Sequence, residues 1–365
     1  MRPADRLPPR CLPDCRGVAG DRMTDSVRRL LLIKPSSLGD IVHAMPTLAA
    51  LRARFPHAEV TWLVKRQWAP LVEVIGGVDH VCAVGAGLTG WMGRISELRA
   101  ARFDLVVDLQ GLFRSGVMAW LSGSGRRIGF ANAREGSPLF YTQRVEVPDG
   151  PMHAVDRYLL VPEALGADRP AQPRFEFVDR PRDREAVETI LRRSGVPVSL
   201  PWIAINASAR WETKRWPPQH FAAAADQLSR EHACPIVFIG GAAERPETQA
   251  VTALMRTKAV DLTGQTPVGL LPCLLREAAV LITNDSGPMH IAAAVGTPVV
   301  ALFGPTDPRK TGPYGEGHVV LSHAVECSPC FRRDCARAVR LECLLEVKPV
   351  QVVHAVQQQL TRSPK

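Results

Sequence analysis

The segment at residues 282–308 constrains the fold more than any other part of the chain. An apolar run at 279–283 is typical of a buried parallel strand, and residues 285–288 supply turn and capping chemistry before a helical run at 289–295. A second strand is predicted at 298–303. This unit predicts an α/β sheet whose helix N-terminus can receive an anionic group, although an ordinary strand-turn-helix without a ligand has the same pattern.

Apolar runs alternate with helical patterns along the chain, as they do in doubly wound parallel sheets. The length of 365 residues, 46% of them hydrophobic, is enough for two domains that each bury a core. Helices are predicted at 41–54 and 91–101. Two sets of strands are predicted, the first at 30–33, 60–64, 81–84 and 105–108, and the second at 202–206, 236–240, 260–263, 280–283 and 299–303.

Composition along the chain also predicts domain limits. A stretch rich in proline, glycine and charge at 166–182 is the predicted linker between domains at 27–165 and 183–347, followed by a terminal helical segment at 348–365. Residues 1–22 are rich in Pro, Arg and Asp and have no apolar centre, so they do not form a secretory signal. Residues 1–26 are predicted to be either a disordered leader or a start-site artefact, and in the second case translation begins at Met23.

Charge and cysteine content limit the partners and the compartment. A net charge of +9 favours an anionic partner, which includes a phosphorylated glycolipid, a membrane surface and a nucleic acid. No apolar stretch is long enough to predict a membrane-spanning helix. Without an export signal, the nine cysteines are expected in a reducing compartment, where a disulfide framework is disfavoured.

Four cysteines within 17 residues predict a structural zinc or iron site, because thiolates at short spacing suit tetrahedral coordination. A nucleic-acid-binding zinc module is the non-enzymatic alternative, but Phe331 is the only aromatic residue within the cluster. The four residues are Cys327, Cys330, Cys335 and Cys343.

Three separated motifs resemble those of the ADP-heptose:lipopolysaccharide heptosyltransferases, the inverting glycosyltransferases of family 9. They are KPSSLGDIVHAMP at 34–46, KRWP at 214–217 and DSGPMH at 285–290. The resemblance runs from residue 27 to the C-terminus and implies a GT-B fold, with two Rossmann-like doubly wound parallel-sheet domains facing a central cleft. It further implies that the first domain binds the acceptor, that the second binds the nucleotide sugar, and that the terminal helix at 348–365 crosses back to the first domain.

Asp40 follows the first predicted strand at a turn, so its carboxylate is expected to project from a helix start into the cleft. By resemblance, Asp40 is the base that takes the proton of the acceptor hydroxyl. The alternative is that it only caps its helix. His43 lies one helical turn further on, where it could orient Asp40 or contact the acceptor. Ser37 and Gly39 are the other expected acceptor-binding residues.

The leaving group of such a reaction is a nucleoside diphosphate, and no Asp-x-Asp pair at a strand end suggests a catalytic metal. By resemblance, Lys214 contacts the diphosphate together with Ser208 and the backbone at Ser286 and Gly287. The alternative for Lys214 is a solvated surface lysine.

Three further donor-site predictions keep their alternatives. Asp285 is expected to bind sugar hydroxyls or to cap its own helix. His290 is expected in the donor site or packed in the core. By resemblance Glu244 holds the nucleoside, and a solvated helix-start glutamate is the alternative.

The resemblance implies a cytoplasmic enzyme that moves heptose from ADP-heptose to the Kdo or heptose of the lipopolysaccharide inner core. The resemblance implies no catalytic cofactor, an anionic lipid A–Kdo acceptor, peripheral contact with the inner membrane, and no nucleic-acid partner. The first motif looks more like the enzyme that adds the first heptose and the third more like the one that adds the second, so the acceptor stays open. A protein or another glycan is an alternative acceptor.

A glycine pattern supports a different class of enzyme. The sequence GAGLTG at 85–90 matches the dinucleotide-binding pattern, and Asp104 and Asp108 lie downstream. An NAD-linked oxidoreductase is therefore an alternative. Against it, these glycines follow the third predicted strand rather than the first, and the pattern does not explain the other motifs.

Overall fold

The computed structural model describes residues 27–197, 200–232 and 234–362. Within these ranges the chain forms two six-stranded sheets in which every strand pairing is parallel. The first sheet contains β1 Arg29–Ile33, β2 Glu59–Lys65, β3 His80–Val84, β4 Leu105–Asp108, β5 Arg127–Phe130 and β6 Gln143–Val145. The second contains β7 Ile203–Asn206, β8 Ile236–Phe238, β9 Val260–Asp261, β10 Val280–Asn284, β11 Val299–Phe303 and β12 Val319–Ser322. The predicted two-domain α/β class is confirmed.

Helices cover both sheets. Those that precede β7 are α1 Leu38–His43, α2 Met45–Arg54, α3 Ala69–Val72, α4 Gly87–Met92, α5 Ile95–Ala100, α6 Phe113–Leu121, α7 Ala154–Ala164 and α8 Pro181–Arg193. Those that follow it are α9 Pro218–His232, α10 Arg245–Thr252, α11 Leu271–Glu277, α12 Gly287–Ala294, α13 Pro308–Thr311, α14 Glu342–Leu345 and α15 Pro349–Arg362. No helix in the described ranges is long and apolar enough to cross a membrane.

The two sheets share one topology. The first sheet has the strand order β3-β2-β1-β4-β5-β6, and the second has the order β12-β11-β10-β7-β8-β9. Read from β9 to β12, with β7 as the first strand of its domain, the second order is the same as the first. The strand order reverses between β1 and β4 in the first sheet and between β7 and β10 in the second. Because connections leave such neighbouring strands in opposite directions, a crevice opens at their carboxyl ends.

The helix predicted at 41–54 is two helices. Its first part, α1, begins at Leu38 and ends at His43, and α2 follows from Met45 with Pro46 in its first turn. Proline has no backbone N–H and is tolerated where no intrahelical partner is needed, so a new helix begins there.

The terminal helix was expected to cross back to the first domain, and its main contacts in the described residues lie in the second domain. Helix α15 packs mainly on α9 and on β10, β11 and β12 of the second sheet. Its buried valines, Val352, Val353 and Val356, belong to the core cluster of that sheet together with Phe221 and Leu228 of α9. Burial of this apolar face against its own domain decides where the helix lies. The predicted leader at 1–26 lies outside the described residues.

Candidate active site

The site residues of both domains follow strands at the two points of order reversal. Asp40 lies in α1, the helix that follows β1. Strand β4 is adjacent to β1 in the first sheet, so the loop after β4 lies near Asp40. Lys214 lies after β7, and Asp285 lies directly after β10, its neighbour in the second sheet. Open α/β sheets bind their ligands at such positions.

Asp40 has a different set of partners on each carboxylate oxygen. Oδ2 accepts hydrogen bonds from the Ser37 backbone N–H at 2.9 Å and from the Ser37 hydroxyl at 2.7 Å, which is a capping interaction at the start of α1. Oδ1 accepts from the Tyr158 hydroxyl at 3.2 Å and lies 3.8 Å from Nζ of Lys34. The side chain is 38% exposed. Capping of α1 therefore uses Oδ2 of Asp40, whereas Oδ1 interacts with Lys34 and Tyr158.

Lys34 and Tyr158 are partners that the sequence did not single out for Asp40. Burial opposes the charge of Lys34, but Asp40 and Tyr158 raise the pKa of its ammonium. Its Nζ also donates to the Leu109 carbonyl at 3.2 Å, in the loop after β4. Burial disfavours ionised Asp40 too, yet Lys34 and the Ser37 hydrogen bonds hold the pKa of the carboxyl well below its usual range. Asp40 is thus an anion at neutral pH.

The second domain supplies an ion pair between Lys214 and Asp285. Nζ of Lys214 donates to Oδ2 of Asp285 at 2.6 Å, and the same oxygen accepts from the Thr306 hydroxyl at 2.7 Å. The two side chains are 17% and 6% exposed, and the Lys214 ammonium lies 4.7 Å from the centre of the Trp211 ring. Lys214 is therefore held in the site and is not a free surface lysine.

A buried asparagine holds the Lys214 loop against β10. Oδ1 of Asn284 accepts from the Trp216 backbone N–H at 2.9 Å, and Nδ2 donates to the carbonyls of Ala207 at 2.9 Å and Ser208 at 3.4 Å. Asn284 is fully buried. The Asn284 amide thereby fixes both ends of the loop that carries Lys214. Asp285, the next residue in sequence, lies beside this loop.

Ser286, the N-cap residue of α12, is held by its hydroxyl. It donates to Oδ1 of Asn206 at 2.9 Å and lies 3.0 Å from the Thr283 hydroxyl. Gly287 is the first residue of α12. The first backbone N–H groups of a helix lack intrahelical acceptors, so they can bind an anion.

Two glycines allow α1 of the first domain to contact α12 of the second. A Cβ atom on Gly39 would lie 2.3 Å from Cδ2 of His290, and one on Gly287 would lie 2.1 Å from Cδ2 of Leu38. Such distances are shorter than any carbon–carbon contact, so neither position can carry a side chain in this arrangement. Gly39, which was predicted to bind acceptor, is in contact with the predicted donor-site residue His290.

Three histidines meet at this contact. Nε2 of His43 lies 2.9 Å from Nδ1 of His290, and the ring centre of His153 lies 5.2 Å from that of His43. Burial and the neighbouring histidines hold the pKa of His43 well below its usual range. Burial lowers the pKa of His290 to about 4, although Asp285 and Asp40 oppose the shift. All three are therefore neutral at neutral pH, since burial also lowers the pKa of His153.

The histidine contact refines two predictions. The sequence placed His43 beside Asp40 or the acceptor, whereas its Nε2 bonds to His290 in the closed cleft. His290 is 7% exposed, and the charges that act on it include Asp40 from one domain and Asp285 and Lys214 from the other. No sequence pattern indicated His153, which caps α7 by accepting from the Val155 N–H and bonds through Nε2 to the Gly312 carbonyl at 3.1 Å.

Glu244 lies on a different strand from the ion pair. It follows β8, which is separated from β10 by β7. Its Oε2 accepts from the Gly241 backbone N–H at 2.8 Å, so the carboxylate holds its own turn after the strand. The helix-start alternative describes this contact, and the other carboxylate oxygen has no protein donor among the described residues.

The glycine pattern of the oxidoreductase alternative follows β3, the edge strand of the first sheet. A Cβ atom on Gly90 would lie 2.7 Å from the backbone of Gly85, so these glycines are required by the turn itself. The turn lies away from the reversal between β1 and β4, where a dinucleotide would bind.

The four clustered cysteines line a cavity of about 130 Å³. Burial and the other three thiols raise the pKa of Cys343 to about 11. In the described part of the chain, however, no group of three or more His, Cys, Asp or Glu side chains is arranged to hold a metal ion. The geometry therefore does not support the predicted structural metal.

The cysteine segment contacts the loops of the donor domain. The Thr213 hydroxyl donates to the Arg332 carbonyl at 2.9 Å, next to Lys214, and the Ser328 hydroxyl donates to the Gly304 carbonyl at 2.7 Å. The segment thus supports the loops that carry Lys214 and Thr306.

Comparison with known proteins gives consistent results. The family model for glycosyltransferase family 9 (heptosyltransferase) matches residues 93–339. The chain is 26% identical to the lipopolysaccharide core heptosyltransferase OpsX of Haemophilus influenzae, over 82% of this chain and 85% of that protein. It is 28% identical to lipopolysaccharide heptosyltransferase 1 of Pseudomonas aeruginosa, over 84% and 87%.

Solved structures share the fold. A glycosyltransferase family 9 protein from Veillonella parvula superimposes with a TM-score of 0.82 at 26% identity, covering 93% of this chain and 99% of that one. The ADP-heptose heptosyltransferase II of Escherichia coli superimposes with a TM-score of 0.77 at 23% identity, covering 92% and 100%.

Proposed function

Because the chain belongs to glycosyltransferase family 9, the heptosyltransferases, we propose that it transfers heptose from ADP-heptose to the inner core of lipopolysaccharide. The acceptor is the Kdo or heptose of an anionic lipid A–Kdo glycolipid, reached in the cytoplasm at the inner membrane. The relatives above are named as enzymes of the lipopolysaccharide core, which supports this choice. Neither the NAD-linked nor the nucleic-acid-binding alternative is favoured by these matches.

One observation carries the proposal: the groups needed for inverting transfer lie on opposite sides of the α1–α12 contact. Asp40, an ionised carboxylate, is on the first domain, and the Lys214–Asp285 pair is on the second. His290 lies between them, within the field of all three groups. An acceptor bound by the first domain and a diphosphate bound by the second would therefore meet at this contact.

Asp40 is the proposed base. The acceptor oxygen attacks the anomeric carbon from the face opposite ADP, the bond from that carbon to the phosphate oxygen breaks, and its electron pair leaves with ADP. The proton of the acceptor hydroxyl passes to Asp40. Because its pKa is low, Asp40 is a weak base. It therefore takes the proton late, after bond formation to the anomeric carbon has lowered the pKa of the acceptor hydroxyl. Lys34 and Tyr158 position the carboxylate.

Lys214 is the proposed cation for the diphosphate. Its ammonium already bonds to Asp285, and a diphosphate would draw it from that carboxylate toward developing phosphate charge. The backbone N–H groups at Ser286 and Gly287 and the Ser208 loop complete the proposed anion site. Asp285, partly released from Lys214, would accept hydrogen bonds from sugar hydroxyls.

The remaining predicted residues keep their proposed roles. His290 contacts the donor sugar when the cleft opens to admit it, and Glu244 binds the nucleoside through the carboxylate oxygen not used by Gly241. Ser37, which is exposed, and His43 contact the acceptor, and Gly39, predicted to bind it too, lets the His290 ring come close to this side of the cleft.

A structural zinc or iron at the cysteine cluster stays a prediction of the sequence. All four thiols line one cavity, although no group of them in the described residues is arranged to hold an ion. Elemental analysis of protein purified without a metal-affinity column should find about one ion per chain, lost in a variant with Cys330→Ser and Cys335→Ser. Metal-free protein of full activity would end this prediction.

Transfer is tested with purified protein, ADP-heptose and a delipidated Kdo-containing oligosaccharide. Formation of ADP and of a product heavier by one heptose, detected by mass spectrometry, is expected, and the product should carry the inverted anomeric configuration. Isothermal titration should show tighter binding of ADP-heptose than of UDP or NAD. Tight NAD binding without transfer would contradict the proposal.

A further inference from the structure

Three large apolar side chains lie exposed on one side of the first domain. Leu139 is 80% exposed, Trp120 is 55% exposed and Phe113 is 54% exposed. Phe113 and Trp120 are seven residues apart on α6, so they lie on one face of that helix. We call these three residues the α6 patch. Isolated exposed apolar residues are common, but a group of large ones marks an interaction site.

The patch is held rigidly outward by packing beneath it. The opposite face of α6 is buried, with Met118 and Ala119 in the core of the first sheet. Gly116 allows the turn at Ser137–Phe140 to approach α6, since a Cβ atom there would lie 2.7 Å from the ring of Phe140. The rings of Phe113 and Phe140 are 5.6 Å apart, which connects the helix to the turn that carries Leu139.

Exposed arginines surround the patch. Arg114 follows Phe113, Arg134 lies before the Leu139 turn, and Nε of Arg144 donates to the Pro138 carbonyl within that turn at 3.0 Å. Among the described residues none of these three guanidinium groups forms an ion pair with a carboxylate. The nearby acid Glu135 instead accepts from the backbone N–H of Phe113 at 3.2 Å.

The patch lies on the acceptor side of the proposed active site. Helix α6 follows the loop after β4, and the Leu109 carbonyl of that loop accepts from Lys34, the partner of Asp40. The backbone N–H of Arg134 donates to the Gly111 carbonyl of the same loop at 2.9 Å. The carboxyl ends of β4 and β1 are adjacent, so Phe113, the first residue of α6, lies at the same edge of the sheet as Asp40, and α6 carries Trp120 back along the face of the sheet.

We propose that the α6 patch docks on an anionic phospholipid bilayer, with the apolar side chains in the interface and the arginines on lipid phosphates. Tryptophan, phenylalanine and leucine partition into the membrane interface, and cationic side chains bind anionic headgroups. Arg114 also lies 5.3 Å from the centre of the Trp91 ring, but none of the three arginines is neutralised by a carboxylate in the described residues, and their positive charge favours an anionic bilayer. The inference rests on the proposed function, because a lipid-borne acceptor explains why the surface begins at the edge of the sheet that carries Asp40.

Vesicle flotation tests the proposal with the full chain. The vesicles contain phosphatidylcholine alone or phosphatidylcholine with phosphatidylglycerol. The wild type should bind only the anionic vesicles. Each arginine near an anionic surface is expected to strengthen binding about fivefold. Changing Arg114, Arg134 and Arg144 together to Gln should therefore weaken vesicle binding on the order of a hundredfold. Leu139→Ser with Trp120→Ser should weaken it at least tenfold, while Val350→Ser, an exposed residue on α15 that is 63% accessible, should not.

Other outcomes would overturn the docking proposal. Vesicle binding that survives both patch variants would place the membrane surface elsewhere. A wild-type dimer seen by light scattering without lipid, and dissociated by Leu139→Ser, would assign the patch to a second copy of the chain. Absence of vesicle binding by the wild type would also contradict it.

Failure of docking is separable from failure of the proposed activity. The patch variants should transfer heptose to the delipidated oligosaccharide at the wild-type rate and lose at least tenfold with the same acceptor embedded in anionic vesicles. Equal rates on both acceptors would contradict docking. Inactivity of the wild type on the delipidated oligosaccharide would contradict the proposed function, while the flotation result would still decide whether the patch binds lipid.

Discussion

Nε2 of His43 lies 2.9 Å from Nδ1 of His290, so one ring nitrogen from each domain shares a single hydrogen bond across the cleft. One nitrogen must donate and the other accept, which requires at least one neutral ring. The second nitrogen of His43, Nδ1, is buried and has no hydrogen-bond partner among the described residues. A proton added at Nδ1 of His43 would therefore be buried without a hydrogen-bond acceptor. Closure of the two domains and the neutral state of these histidines are coupled.

The pH dependence of stability should follow from this coupling. The pKa of His290 is lowered from 6.5 to about 4, so the unfolded chain binds more protons than the folded one between these values. The stability that neutral His290 contributes is therefore fully present above about pH 6.5 and is lost as the pH falls toward 4. His290→Gln should reduce the pH dependence of the melting temperature over this window, measured by calorimetry, and the slope that remains is expected from His43 and His153, whose pKa values are also lowered. His354→Gln, at an exposed histidine, is the control, and an unchanged slope in the His290 variant would contradict the assignment.

Asp40→Asn should abolish turnover and leave donor binding nearly intact. The amide keeps the shape of the side chain but cannot take the acceptor proton, and loss of a positioned base typically costs about 10²- to 10⁴-fold in kcat. Steady-state kinetics and titration with ADP measure the two effects separately. Asp149→Asn, at an exposed position, is the matched control. Equal loss of turnover and ADP affinity would instead indicate a role in folding or binding.

Lys214→Ala should weaken ADP binding and turnover together, because it removes the cation and leaves the Asp285 carboxylate facing the diphosphate. The expected loss in kcat/KM is roughly 10²-fold or more. Adding Asp285→Asn to this variant should restore part of the ADP affinity by removing the repulsion. Lys258→Ala, at an exposed lysine, serves as the control. Unchanged kinetics in the Lys214 variant would remove it from the site.

Gly39→Ala should force the domains apart. Its Cβ would lie 2.3 Å from the His290 ring, and overpacking of this kind costs about 1–3 kcal/mol. Small-angle scattering should show a larger radius of gyration, and kcat/KM should fall. Gly125→Ala is the control, since its Cβ would meet no atom within 4 Å. Adding His290→Ala should relieve the clash in the Gly39 variant, and persistence of the expanded shape there would contradict this explanation.

Much of the architecture was predictable because the alternation of apolar strand runs and helical patterns occurs in both halves of the chain, once for each sheet. The buried runs that form β1 and β10 and the turn before α12 all follow from apolar segments and capping residues. The placement of α15 was not predictable, since an amphipathic helix can cover either sheet. Its valines packed on α9 in the second domain.

The sequence by itself determined which chemical groups follow the strands: Asp40 after β1, Lys214 after β7 and Asp285 after β10. Only the tertiary structure decided their partners. Tyr158 reaches Asp40 from 118 positions along the chain, and His290 reaches His43 from 247. No local pattern records such pairs, because a hydrogen bond depends on where packing brings two side chains, whereas a strand, a cap or a turn depends on neighbours in sequence. Domain closure created the histidine pair, and with it the charge state of the cleft.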